Sequence, residues 1–330
     1  MVTQSNDSDK PLISIIIPTK DNVKLLKACI ESIETKSSYK NYEILVVDNG
    51  STKEETKVYL NSLKHKVLAY DRPFNFSRIN NFAVTNARGE HVLFLNDDTS
   101  VISSNWMESM LEHSAKPNVG AVGALLFYPN DTIQHAGVLI GVGGIASHAF
   151  EGLARNNQGY KGLVQTIREC SVVTGACLMI KKSLFEQVGG FDEKLAYSFN
   201  DVDLCLRLRE KGYSVIYTPY AQLYHHGTTS RPYTEDNDEI RYFVKRWHDV
   251  ILKGDPYYDQ NLSRVRPFEP KTGDEKLVLT DIRLFEESEQ GFFKRLGKYI
   301  EVSNKVRKRH GIGRVIIEFI RFLKKRGLQE

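Results

Sequence analysis

His91-Val92-Leu93-Phe94-Leu95-Asn96-Asp97-Asp98-Thr99 is the stretch from which the rest of the chain can be read. Val92 to Leu95 is a short unbroken apolar run, the pattern of a strand buried on both faces in a parallel sheet, and it stops at three polar residues. Two neighbouring carboxylates at a strand's carboxyl end lie where open α/β sheets bind ligands, in the crevice made by the loops leaving those ends. Hard oxygen donors there suit Mg²⁺ or Mn²⁺ holding a substrate diphosphate, because such ions take few protein carboxylates and fill their remaining positions with phosphate and water. Asp98 or Thr99 ahead of Val101 also has the chemistry of a helix N-cap, and the segment alone does not choose between the two readings.

The residues before it alternate strand and helix. An apolar strand over 12–17 ends at Pro18, and residues 23–33 carry Leu26, Ile30 and Ile33 at helical spacing. A second strand over 42–47 closes at Asp48-Asn49-Gly50-Ser51, completing a βαβ unit. A helix over 54–63, a short strand over 67–70 and a helix over 76–87 that stops at Gly89 follow. This alternation predicts a parallel sheet with helices on both faces. No G-x-G-x-x-G and no G-x-x-x-x-G-K-[ST] follows the first strand, so a glycine loop is not the expected phosphate holder.

Length and composition fit this reading. A chain of 330 residues accommodates one domain of about 250 residues plus an appendage. Cys29, Cys170, Cys177 and Cys205 show no metal-ligand clustering and lie in apolar or helical contexts, which predicts buried free thiols in a reducing compartment. The first ten residues lack the basic start and apolar centre of a signal peptide, and no apolar run approaches the ~20 residues needed to span a bilayer. A cytoplasmic protein is expected. The net charge of +4 is unevenly spread: residues 291–330 hold twelve Lys and Arg against three Glu, leaving 33 basic against 38 acidic residues before them.

Ile15-Ile16-Ile17-Pro18-Thr19, then Val46-Val47-Asp48-Asn49-Gly50-Ser51, then Phe94-Leu95-Asn96-Asp97-Asp98-Thr99 resemble, in order and spacing, the nucleotide-binding half of glycosyltransferase family 2 with the GT-A fold, as in bacterial O-antigen and polysaccharide glycosyltransferases. The resemblance covers roughly residues 10–270. It implies a Rossmann-like mixed sheet flanked by helices, with Pro18, Thr19, Asp48, Asn80 and Asp97 at the sugar-nucleotide donor and Asp48 on the base. It further implies that the family's DxD element, here Asn96-Asp97-Asp98, holds the metal on the donor diphosphate. Strand alternation sets Asn96 and Asp98 on one side and Asp97 on the other, so Asp98 is taken as the ligand and Asp97 second. This chain departs from the family after Pro18-Thr19, where Lys20-Asp21 replaces an aromatic residue followed by Asn.

Strands are predicted over 119–127 and 133–140, then a Gly-, His- and Asn-rich mobile loop over 141–162 on the acceptor side; His135 in the second strand and His148 in the loop have functional chemistry, but lone histidines in such contexts are more often structural or exposed. A strand over 172–180 carries Thr174-Gly175-Ala176, and a helix over 182–188 ends at Gly189-Gly190, an ordinary C-cap, in a segment that resembles the family's acceptor-pocket floor. Next comes Phe199-Asn200-Asp201-Val202-Asp203, opening a helix. Asp203 there reads as first-turn dipole complementarity. The resemblance makes Asn200-Asp201 the family's E-D motif and Asp201 the general base. Strands over 213–218 and 221–224 lead to His225-His226-Gly227, where the resemblance assigns His225 as a further metal ligand, with His226 a near alternative. Residues 228–238, with Ser230 and Arg231, have the composition of a flexible lid. A helix over 240–252 places Phe243, Trp247 and Val250 on its apolar side.

The expected organisation is a disordered N-terminus over 1–10, a catalytic domain over 11–270 with a nucleotide-binding half (11–118) and an acceptor half (119–270), and a basic amphipathic helical tail over 271–330. In the tail, Phe292, Leu296, Tyr299 and Ile300, then Val315, Ile316, Phe319, Ile320 and Leu323, recur at helical spacing among basic residues. Such helices bind anionic headgroups, at about 1 kcal/mol per basic residue near the surface. The alternative is a hairpin packed on the catalytic domain or on a second subunit, giving a homo-oligomer. Nucleic acid is not expected, since aromatic residues interleaved for base stacking are missing.

The expected activity is metal-dependent inverting transfer of a sugar from a UDP- or dTDP-linked donor to a hydroxyl of a glycan, lipid-linked in keeping with the tail, at the inner face of the cell membrane. The rival is a degenerate sugar-nucleotide-binding or scaffold protein of the same fold, motivated by Asn96 and Asn200 where the family often has acids.

Overall fold

The computed structural model describes residues 10–227 and 237–271. The chain divides into two units, 1–273 and 274–330, and the described residues all belong to the first. The basic tail, together with Ser230 and Arg231, lies outside the described residues.

Strand β1 (Ile13–Thr19) is buried at every position, which is why it reads as a continuous apolar run rather than an alternating one. Helix α1 (Val23–Lys36) packs Leu26, Cys29, Ile30 and Ile33 inward and brings the chain back for β2 (Tyr42–Asp48). Helix α2 (Glu54–Ser62), β3 (Lys66–Ala69), α3 (Phe76–Thr85) and β4 (His91–Leu95) continue the alternation. β1 pairs in parallel with β2 and β4, and β2 with β3, so β1, β2 and β4 all end at one edge of the sheet.

No helix follows the acidic tip. Thr99–Val101 forms the short strand β5, and helix α4 (Trp106–Ser114) begins five residues later. The N-cap alternative for Asp98 and Thr99 is thereby removed. Beyond α4, β6 (Val119–Phe127) is fully buried. The strand expected over 133–140 is two short strands, β7 (Ile133–His135) and β8 (Val138–Ile140), broken at Gly137, whose φ of +89° no ladder accommodates. The stretch expected to be a mobile loop contains β9 (Ala146–His148), paired with β8, and Phe150 stacks on Phe268 with ring centroids 4.1 Å apart.

Strand β10 (Arg168–Cys170) precedes β11 (Cys177–Lys181), which leads through α5 (Lys182–Gln187) to α6 (Asn200–Glu210). Thr174-Gly175-Ala176 lies in the loop entering β11 rather than within a strand, because its backbone groups are engaged by the site described below. The two strands expected over 213–224 are one, β12 (Ser214–His225), with a register shift between Thr218 and Gln222. Helix α7 (Asn237–Lys253) is the last regular element described.

The main sheet runs β10-β12-β6-β11-β4-β1-β2-β3. β11 is antiparallel to both β4 and β6, with Cys177 opposite Leu95, while β6 and β12 run parallel. The loop entering β11 therefore reaches the same edge as the loop leaving β4. β5 pairs with the end of β12 and sets His225 opposite Thr99. Behind that edge, Phe94 packs edge-on against Phe191 at 4.8 Å and beside Phe185 at 5.1 Å, anchoring the segment that leads to α6.

Candidate active site

The acidic tip of β4 splits its side chains as strand alternation requires. Asp97 turns toward β1 and accepts a hydrogen bond from Thr19 Oγ1 at 2.7 Å, both residues being buried. Asp98 turns the other way, and its Oδ1 lies 3.1 Å from His225 Nε2. The β5–β12 register produces that meeting, reinforced by the His226 N–H, which donates to the Asp98 carbonyl at 3.0 Å. Asn96 completes the group, its Nδ2 lying 3.1 Å from the same His225 Nε2. Burial pushes the Asp98 carboxyl up, but hydrogen bonding and charge from the His225 ring in its imidazolium form, with the Gly227 backbone, outweigh it and hold it below the ordinary carboxylate range.

A hard divalent ion fits this pair. Adjacent ligands on an octahedral ion with bonds of about 2.1 Å sit about 3 Å apart, close to the 3.1 Å between Asp98 Oδ1 and His225 Nε2. Among the described residues no three His, Cys, Asp or Glu side chains converge as a metal cage. Two protein donors with positions left for phosphate and water are what Mg²⁺ or Mn²⁺ accept, and are too few for a structural zinc.

Asp201 stands in the first turn of α6, partly exposed. Its Oδ2 accepts the Gly175 N–H at 2.7 Å and its Oδ1 the Val202 N–H at 2.8 Å. A Cβ at Gly175 would come within 3.4 Å of Asp201 Cβ and 3.5 Å of the Phe76 ring, so that aromatic ring is a close neighbour of the carboxylate's loop. Burial pushes the Asp201 carboxyl up, and the backbone donors Gly175 and Val202 only partly offset it. The 174–176 loop joins the two acidic groups, since the Asn96 N–H donates to the Ala176 carbonyl at 3.1 Å while Gly175 holds Asp201. Asn200 accepts the Asp201 N–H through its Oδ1 at 2.9 Å.

The remaining sequence-derived residues are placed less uniformly. Pro18 pairs in register with Val47 at the edge, next to Thr19 and Asp48. Asp48 is half-buried and spends Oδ1 on the Ser51 N–H at 2.9 Å. Asn80 has no exposed surface; its Nδ2 donates to the Phe76 carbonyl within α3, and its Oδ1 has no hydrogen-bond partner among the described residues. Asp21 accepts the Thr52 and Lys53 N–H groups at 2.8 Å each, tying the exit of β1 to the loop that enters α2.

Three residues have roles that their local sequence does not show. Asp203 is fully buried, bound to Arg207 at 2.7 Å, the Trp247 indole at 3.0 Å and Arg246 at 3.2 Å, so it ties α6 to α7 rather than merely complementing a dipole. Glu239 of α7 is buried and receives the N–H groups of Ala196, Tyr197 and Ser198 at 2.9 to 3.2 Å. Gln134 is buried beside His225. The available signals were an acidic first turn for Glu239 and a lone amide in an apolar run for Gln134.

A Rossmann-like mixed sheet with an acidic strand tip and a carboxylate-bearing helix start facing one edge defines the GT-A class. Residues 14–189 match the model of glycosyl transferase family 2, and the chain belongs to that family. It is 42% identical over 271 residues to an uncharacterised protein of Sinorhizobium fredii, an alignment covering 78% of this chain and 30% of that protein. It is 37% identical over 261 residues to the O-antigen biosynthesis protein RfbC of Myxococcus xanthus, covering 77% of this chain and 20% of RfbC. The chain thus spans about a fifth to a third of the length of these relatives. Among solved structures, GalNAc-T7 with UDP, GalNAc and Mn²⁺ has a similar fold, with a TM-score of 0.58 at 15% identity over 74% of this chain and 49% of that one.

Proposed function

We propose that this chain is the catalytic module of a metal-dependent inverting glycosyltransferase that moves a sugar from a UDP- or dTDP-linked donor to a hydroxyl of a glycan in cell-surface polysaccharide synthesis. The observation that carries the reading is the meeting of Asp98 and His225 at 3.1 Å, joined through the 174–176 loop to Asp201. The O-antigen role named for RfbC supports the glycan acceptor, and the GalNAc-T7 complex supports a UDP donor with Mn²⁺.

Asp98 and His225 would hold Mn²⁺ or Mg²⁺. When bound, such an ion neutralises charge developing on the leaving nucleoside diphosphate. Asp48 would contact the base, with Pro18 and Thr19 beside it, and Asp97 would keep the β1 and β4 tips together through Thr19. Asn80, enclosed in α3, would act through the Phe76 carbonyl it binds rather than by touching the donor. Asp201 takes the proton of the acceptor hydroxyl. That oxygen forms its bond to the anomeric carbon as the bond from this carbon to the phosphate oxygen breaks, and the electron pair leaves on the nucleoside diphosphate. A single displacement inverts the configuration.

The acceptor would be lipid-linked and the module peripheral on the inner face of the membrane, a reading supported by the density of basic residues in 291–330. A second reading, a sugar-nucleotide-binding protein without turnover, is favoured by Asn200 beside Asp201. A screen of sugar nucleotides with Mn²⁺ for nucleoside diphosphate release separates them. Asp201→Asn is expected to lower kcat by about 10²- to 10⁴-fold while donor-induced thermal stabilisation persists. Donor stabilisation without turnover in both proteins supports the binding protein.

A further inference from the structure

We propose that Gln134 is a positioning residue that fixes the tautomer of His225, so that the imidazole presents its Nε2 lone pair to a divalent cation. The inference rests on the reading of Asp98 and His225 as metal donors. Gln134 lies in β7, buried, and grips His225 twice: its Nε2 donates to the His225 carbonyl at 3.0 Å, and its Oε1 meets His225 Nδ1 at 2.5 Å.

Each contact constrains the next. A backbone carbonyl can only accept, so the amide nitrogen of Gln134 must face it and the amide oxygen must face the ring. An amide oxygen has no proton to give, so His225 Nδ1 must carry the hydrogen. A neutral imidazole has one N–H, and its lone pair is then on Nε2, the atom 3.1 Å from Asp98 Oδ1. Asn96 agrees, since its Nδ2 approaches Nε2 as a donor at 3.1 Å. In the imidazolium the Nε2 proton faces Asp98; in the neutral tautomer that proton is gone, two electron-rich atoms face each other, and a divalent cation would take the proton's place. The amide also adds no charge, which a carboxylate at 134 would do beside a substrate diphosphate.

Gly227 provides the room for this grip. Its φ of +54° suits glycine, and a Cβ there would meet Gln134 Nε2 at 3.1 Å. The backbone just past His225 is therefore shaped around the amide as well as around Asp98.

The test uses the metal-free full chain at a pH where imidazole is neutral, labelled with ¹⁵N-histidine, with the His225 signal among the nine histidines assigned by its loss in His225→Ala. Two-bond ¹H–¹⁵N correlations are expected to show hydrogen on Nδ1 in the wild type. Gln134→Leu is expected to move His225 toward the Nε2–H form and to weaken Mn²⁺ binding, read by calorimetry without donor, by about 10- to 100-fold. Gln134→Glu, which still accepts from Nδ1, is expected to keep the wild-type tautomer and to bind Mn²⁺ at least ten times more tightly than Gln134→Leu. Gly227→Ala, which crowds the amide without removing it, is expected to weaken Mn²⁺ binding even if Gln134→Leu does not fold. Wild-type tautomer and affinity in Gln134→Leu, or in Gly227→Ala where the former cannot be purified, overturn the inference while leaving the metal reading intact. Undiminished Mn²⁺ affinity in His225→Ala overturns the metal reading and this inference with it.

Discussion

Asp98 and Asp201 are carboxylates of one chain pushed in opposite directions, and the direction suits the role proposed for each. Asp98 is held below the ordinary carboxylate range by the positive charge of the His225 imidazolium, the place a divalent cation would take, whereas burial raises Asp201 and makes its carboxylate a stronger base. Only the ionised Asp201 can take a proton, so turnover is expected to rise as pH climbs through the raised value. The acid limb of the kcat profile is expected above the ~3.9 of an ordinary aspartate, and a limb at or below that value contradicts the assignment. At this scale the sequence was most informative where neighbours decide the environment. The alternation of Asn96, Asp97 and Asp98 placed Asp98 and Asp97 on opposite sides, and the structure keeps them there. Gln134 and Glu239 were illegible because their partners, His225 and the 196–198 backbone, lie 91 and 41 to 43 positions away, and of Asp203's partners only Arg207 is a helical turn off while Trp247 lies 44 away.

Among the elements, α7 does more than close the domain. Its Glu239 carboxylate gathers the 196–198 amides, and its Phe243 stacks on Phe199 at 4.5 Å, holding that residue at φ +59° immediately before α6 and Asp201. A bulky residue in the left-handed region persists only where its surroundings fix it. Glu239→Gln sets an amide donor against those N–H groups and is expected to cost about 1.5–3 kcal/mol and to lower kcat more than donor affinity. Denaturant unfolding and steady-state kinetics check this; unchanged stability and kcat contradict it. Element boundaries were legible where burial is two-sided, as in β1, β4 and β6, because an unbroken apolar run needs no register to be recognised. At 172–176 the apolar residues continue beyond the strand, because the backbone there binds Asp201 and Ala176 meets Asn96 instead of pairing in a ladder.

Across the whole molecule, the parallel half followed from strand–helix alternation, whereas the reversal at β11 had no local signature. That reversal is what brings the 174–176 loop to the edge where β4 and β12 end, so the site's convergence depends on a pairing between distant segments. The membrane contact proposed above rests on the density of basic residues in 291–330. The full chain is expected to co-sediment with anionic vesicles in a salt-sensitive manner, and a chain ending at 273 is not. Equal sedimentation of both, or self-association of the full chain without vesicle binding, contradicts that placement.

The most direct test of the proposed transfer centre is an anomalous difference map at the manganese edge from crystals of the full chain soaked with Mn²⁺ and UDP. The account predicts one strong peak within bonding distance of both Asp98 Oδ1 and His225 Nε2, lost in Asp98→Ala. A peak bound elsewhere, or one that survives that substitution, would contradict it.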